Sequence, residues 1–135
     1  MLIQKYSFLP LLKKTGLPLI ISDDTPSFCF LVDTGSTHNI LFSFVYEEFP
    51  NKFIPLKTEV TISGIEGNEK KGEQMVGSIS LLGKSFKVPF TIINDLPSIQ
   101  LIYEETGVQV HGILGLDFLI KSMCIINFKE LTIEI

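Results

Sequence analysis

Phe28-Cys29-Phe30-Leu31-Val32-Asp33-Thr34-Gly35-Ser36-Thr37 is the stretch from which the rest of the chain can be read. An apolar run suited to a β-strand drives straight into an acid, and Thr34-Gly35-Ser36-Thr37 then turns the chain away. A strand apolar on both faces lies inside a core. Asp33 therefore stands where the chain leaves that core, and Gly35 supplies a backbone freedom that other residues lack. A carboxylate in such a place is costly unless hydrogen bonds or a reaction use it. Asp, Gly and Ser are also ordinary turn formers, so the turn alone decides little. The apolar run before it, Ile40-Leu41 after it, and a second element around Gly115 favour a functional turn.

Working outward, Leu17 to Ser22 and Phe28 to Asp33 flank a polar Asp23-to-Ser27 turn and read as a hairpin whose second strand delivers Asp33. Beyond Thr37, Ile40-Leu41-Phe42 reads as a short strand, and a brief helix follows through Phe49 until Pro50 stops it. Leu56 to Ser63 and Glu73 to Leu82 read as long strands joined by the glycine-punctuated Gly64-to-Gly72 link, a projecting hairpin. Gly83-Lys84 turns the chain into a strand from Ser85 to Ile93. Asp95 to Gln109 is irregular, with a helical turn around Ser98 to Glu105. His111 to Ile120 gives an apolar strand, a glycine and a short helix. Gly115 after two branched aliphatics marks a close backbone approach. Ser122 to Phe128 and Leu131 to Ile135 form a closing hairpin, and Met1 to Leu12, broken by Pro10, reads as a strand reaching outward. About nine short strands and one or two short helices predict an all-β, closed barrel-like domain.

The chain has 135 residues, enough for one core and one domain. A net charge of −4 argues against nucleic acid or an anionic membrane as partner. Cys29 and Cys124 lie in apolar runs and read as free core thiols, with a disulfide between them as the minor alternative. The N-terminus lacks the pattern of a signal peptide, and no stretch approaches the ~20 apolar residues of a membrane span. A soluble, cytoplasmic protein is the expectation.

The inventory removes several chemistries. His38 and His111 share no metal-ligand spacing with each other or with the cysteines, so neither a metal nor a cofactor is expected. Ser36 stands too close in sequence to His38 to use it as a base, and no phosphate loop with its Lys is present. A carboxylate in a rigid turn remains. One acid alone does modest acid–base work, whereas two packed together cannot both ionise, so one serves as base and the other as acid. The chain holds a single Asp-Thr-Gly. A second copy, related by a two-fold axis, must bring the other acid.

Leu31-Val32-Asp33-Thr34-Gly35-Ser36-Thr37, Gly64-Ile65-Glu66-Gly67 and Ile113-Leu114-Gly115-Leu116-Asp117-Phe118-Leu119, in that order and spacing, resemble the retropepsin-like aspartic proteases of single-domain type. The resemblance implies an aspartic endopeptidase acting as a homodimer on an extended peptide. Asp33 and its mate would hold the attacking water, while Thr34 would grip across the axis. Gly35 would leave room for substrate, and Ser36 would donate to Asp33. Gly64, Ile65, Glu66 and Gly67 would form the flap, with Ile113, Leu114 and Gly115 packed under the catalytic turn. Leu131 to Ile135 and Met1 to Leu12 are the expected intersubunit strands. Glu66, Glu69, Lys70 and Lys71 on the flap leave the substrate preference unread. Two alternatives stand beside this: a phosphate-binding turn of the actin and sugar-kinase kind, for which the chain is too short, and a catalytically silent retropepsin fold serving as a peptide-binding or dimerisation module.

Overall fold

The structure, a computed structural model, describes residues 4–63, 69–94 and 97–135. In chain order it contains β1 (Lys5–Ser7), α1 (Leu9–Thr15), β2 (Leu19–Ile21), β3 (Cys29–Val32), β4 (Asn39–Phe42), α2 (Ser43–Glu48), β5 (Phe53–Ser63), β6 (Glu69–Leu81), β7 (Lys84–Ile93), α3 (Pro97–Thr106), β8 (Gly112–Leu114), α4 (Leu116–Lys121), β9 (Ile125–Asn127) and β10 (Thr132–Glu134). Among the described residues the fold is mostly β, with 45% strand and 26% helix.

Side-chain alternation explains why β3 is apolar throughout. Phe30 and Val32 enter one cluster with Phe28, Leu41, Phe53, Phe90 and Leu114, and the Phe30 and Phe90 rings stack 5.7 Å apart. Cys29 and Leu31 point the other way, into a second cluster with Leu19, Phe42, Ile99 and Val110. Leu11 of α1 and Ile99 and Ile102 of α3 cover that second face. Helices are accordingly more numerous than the one or two expected. Pro10, read as a break, occupies the first turn of α1, where its missing N–H costs nothing. Gly16, with φ 78°, ends that helix by donating to the Leu12 carbonyl.

No pairing among the described residues joins the two end strands of the larger sheet, as the expected closed barrel would. Among the described residues the larger sheet runs β2-β3-β8-β4-β7-β6-β5, with β2 and β5 at its two ends. The β2–β3 hairpin pairs Leu19 with Leu31 and Ile21 with Cys29. The chain then leaves β3, turns through Asp33 and enters β4, but β8 comes between them. It runs parallel to β3, with Val32 opposite Leu114, and antiparallel to β4, with Ile40 opposite Ile113. The turn between β6 and β7 is Leu82-Gly83, one residue earlier than expected, with φ of 51° and 75°. Two positive angles suit the twist of a tight hairpin.

The smaller sheet, β1-β10-β9, joins the two ends of the chain. β10 is its central strand, pairing with β1 through Tyr6–Ile133 and with β9 through Ile133–Ile126. Both edges of β10 are thus satisfied within the chain, and among the described residues β1 and β9 are the outer strands of this sheet.

Candidate active site

Asp33 follows the last residue of β3, and its N–H donates to the Leu114 carbonyl of β8 at 3.0 Å. Its side chain reaches forward, so that Oδ1 accepts the Gly35 N–H at 2.8 Å, while the Ser36 N–H returns to the Asp33 carbonyl at 3.2 Å. The carboxylate is half-buried, and Thr34 and Gly35 beside it are exposed. Gly35 does not adopt a left-handed conformation. Its requirement is space: a Cβ there would stand 3.1 Å from Asp33 Oδ1. The Ser36 hydroxyl also departs from expectation, because it donates to the His38 carbonyl at 2.7 Å. Serine next to a free backbone acceptor closes a local ring, and Asp33 Oδ1 already has its donor in Gly35.

Beneath the turn lies the β8–α4 junction. A Cβ on Gly115 would overlap the Ser36 and His38 carbonyl oxygens, so only glycine permits this approach. The Leu116 N–H donates to Ser36 O at 2.7 Å and the Asp117 N–H to Thr37 O at 3.2 Å. Ile113, Leu114 and Gly115 are buried. The structure therefore brings Asp33, Gly35, Ser36, Leu114 and Gly115 into one bonded unit. Gly64, Ile65, Glu66 and Gly67 lie outside the described residues; β5 and β6, which lead to them, stay paired out to Ser63 and Glu69.

Two further residues belong to this unit without having been singled out. Asn39 opens β4 and is 2% exposed, and its side chain bonds to the Gly115 and Phe118 amides, to Pro89 O and to Asp117. Asp117 pairs through its other oxygen with Lys121 at 2.9 Å. Beside them a groove of about 580 Å³ is lined by Thr37, His38, Gln74, Thr91, Leu116 and Ile120, among others. Among the described residues no three His, Cys, Asp or Glu side chains converge as metal ligands would, and no helix is long and apolar enough to cross a membrane.

Burial pushes the Cys29 thiol up to about 12 and raises that of Cys124. Neither is disulfide-bonded. His111, which precedes β8, is buried enough to fall below the usual imidazole range. Its Nδ1 accepts the Cys29 N–H at 2.9 Å, so a proton on that nitrogen would face a donor. A base whose folded pKa is depressed stabilises the fold above its unfolded pKa, ~6.5, and that stability is lost as pH falls through the folded value. Denaturation midpoints are expected to drop between pH 7.5 and pH 5, and His111→Asn, which keeps an acceptor without a titrating ring, should flatten the drop. An unchanged slope in that variant would remove His111 from the account.

A family model described as aspartyl protease matches residues 18–118, from the start of β2 through the first turn of α4. No curated protein sequence matches the chain significantly. Among solved structures, the chain is similar to the retroviral protease-like domain of Ddi1 from Leishmania major. The TM-score is 0.54 over 88% of this chain and 92% of that one, at 14% identity. At that identity the likeness bears on the fold alone.

Proposed function

Because the chain belongs to the aspartyl protease family, we propose that it is an endopeptidase that works as a homodimer, each subunit contributing Asp33. The observation that carries this reading is a half-exposed carboxylate held by the Gly35 amide, with its supporting turn bonded to Ser36 and Thr37. Such a carboxylate has fixed direction and one oxygen free for chemistry. With its mate across the axis, one acid takes a proton from a bound water while the other gives a proton to the peptide carbonyl oxygen. In this reading the two Thr34 side chains meet beside the axis, and Gly35 leaves space for the backbone of an extended peptide.

β9 supports the dimer. Ile120, Met123, Ile125 and Phe128 are between 57% and 83% exposed, and they accompany a strand edge that no other strand of the described residues pairs. Edges of this kind pair with other chains unless blocked, and a two-fold copy offers the same edge in antiparallel register. Burying an Ile or Phe contributes about 1.5–3 kcal/mol. Ile125→Asp should therefore raise the dissociation constant by more than about tenfold, measured by sedimentation, while circular dichroism shows a folded chain.

The test of the function is cleavage of a denatured protein or a peptide library by the purified chain, followed through serial dilution. A homodimer loses specific activity as it dissociates, and Ile125→Asp should lose it at higher concentration. Specific activity that stays constant in a demonstrably monomeric sample would overturn the shared site.

A further inference from the structure

We infer that Asn39 is the positioning residue of the catalytic turn, fixing the register in which the β8–α4 junction meets the loop that carries Asp33. This rests on the endopeptidase reading and adds a residue that acts through others, 6 positions beyond the acid in sequence and 2% exposed.

The observation is how four successive amides are shared out. Leu116 and Asp117 give their N–H groups to Ser36 O and Thr37 O, at 2.7 and 3.2 Å. Gly115 and Phe118, on either side, give theirs to Asn39 Oδ1, at 3.0 and 3.3 Å. These are groups at the start of α4, which a helix cannot satisfy internally. The catalytic turn and one carboxamide thus divide the junction between them. On its other side Asn39 Nδ2 donates to Pro89 O at 3.1 Å and to Asp117 Oδ2 at 3.0 Å. A carboxamide has two donors and two acceptor sites, so all four are in use. Two amides facing one end and two oxygens facing the other also fix which end is which. Asn39 is buried, whereas Thr37 and His38 just before it are not. If the carboxamide were lost, two buried amides would go unpaired and the junction could turn about the bonds that remain, carrying Ser36 and Thr37 with it. Asp33, bonded to Gly35 and Leu114 in the same unit, would lose its alignment.

Asn39→Asp tests this with little change of shape. Oδ1 remains an acceptor for Gly115 and Phe118, but the group facing Asp117 and Pro89 becomes an acceptor where a donor is needed. The charged groups around it are Asp117 and its partner Lys121 on α4, with His38 preceding it in the chain. At pH 7 the new carboxylate opposes that of Asp117, and kcat should fall about 10- to 100-fold, the cost of a misplacement on the order of 1 Å. KM should stay within about twofold, because the carboxamide is buried and its four hydrogen bonds all go to the protein itself. Relative to the parent, the loss should shrink as pH falls and the new acid regains a proton to donate. Combining it with Asp117→Asn restores a donor opposite an acceptor and should recover kcat at pH 7, a coupling that a double-mutant cycle measures.

Hydrogen exchange at the Gly115 and Phe118 amides, read on the same proteins without substrate, should be faster in Asn39→Asp at pH 7 and slow again in the double variant. If the parent cleaves nothing but these amides respond, the endopeptidase reading fails and the junction described here stands. If the parent cleaves while both kcat and exchange are unmoved in Asn39→Asp, the positioning inference is overturned. A loss confined to KM, or a double variant no better than the single, overturns it as well.

Discussion

Asp33→Asn is expected to lower the rate of peptide hydrolysis by at least about a thousandfold while leaving the fold and the dimer intact. Asparagine has the same shape, and its Oδ1 can go on accepting the Gly35 N–H that holds the side chain at 2.8 Å. What is removed is the ability to take or release a proton, and positioned acid–base groups contribute about 10² to 10⁴ in rate each. The sharper form of the test mixes the variant with the parent. If each site needs one Asp33 from each subunit, equal amounts allowed to exchange leave about one quarter of the dimers with two acids, so activity should fall below the half that simple dilution would leave. Half the activity would mean that each chain acts alone. Equal behaviour of variant and parent, in cleavage or in peptide binding, would leave a silent binding module. The parent's rate should also show a bell-shaped dependence on pH, since one acid must be ionised while the other is protonated.

Gly115→Ala carries the second large effect, on stability as well as rate. The methyl would overlap two carbonyl oxygens, those of Ser36 and His38, and neither belongs to a side chain that could swing aside. The β8–α4 junction must withdraw from the catalytic turn, breaking the Leu116–Ser36 and Asp117–Thr37 bonds. Overpacking of this kind costs about 1–3 kcal/mol, and the lost bonds add about 1 kcal/mol each. Gly16→Ala is the appropriate control, because Gly16 has open space around its Cα and only a φ of +78° to respect, worth about 1–2 kcal/mol. Denaturant midpoints should place Gly115→Ala well below that control, with cleavage lost even where the protein remains folded. A Gly115→Ala protein as stable and as active as the control would show that the close approach does not matter.

Much of this site was legible because its signals are local. The apolar run of β3 and the acid at its end are adjacent in sequence, and both faces of that strand prove to be covered. Gly115 was legible for a similar reason, since two branched aliphatics before a glycine describe a buried strand meeting another backbone. Asn39 was not legible: after Ser36-Thr37-His38 an asparagine looks like one more turn residue, and its partners lie 50 to 79 positions away. The Ser36 hydroxyl was assigned to the wrong oxygen because sequence cannot rank two acceptors that are both within reach. α1 was hidden by Pro10, which breaks a helix interior but suits a first turn. α3 was seen only as a helical turn, because what makes it necessary, the exposed second face of β3 and β8, belongs to another part of the chain. The central place of the last strand was hidden for the same cause: nothing local tells that β10 finds a partner on each side.

The interposition of β8 between β3 and β4 has a temporal meaning. His111, at the threshold of β8, bonds to Cys29 across 82 positions of sequence, and contacts so distant in the chain form slowly. On a ribosome, Asp33 would be made early and its neighbours β4 to β7 would follow, yet the loop around it would remain unshaped until the segment through Gly115 had emerged. The acid is thus made long before the turn that holds it can take its shape, because Gly115 and the Leu116 and Asp117 amides that brace that turn come roughly 80 residues later.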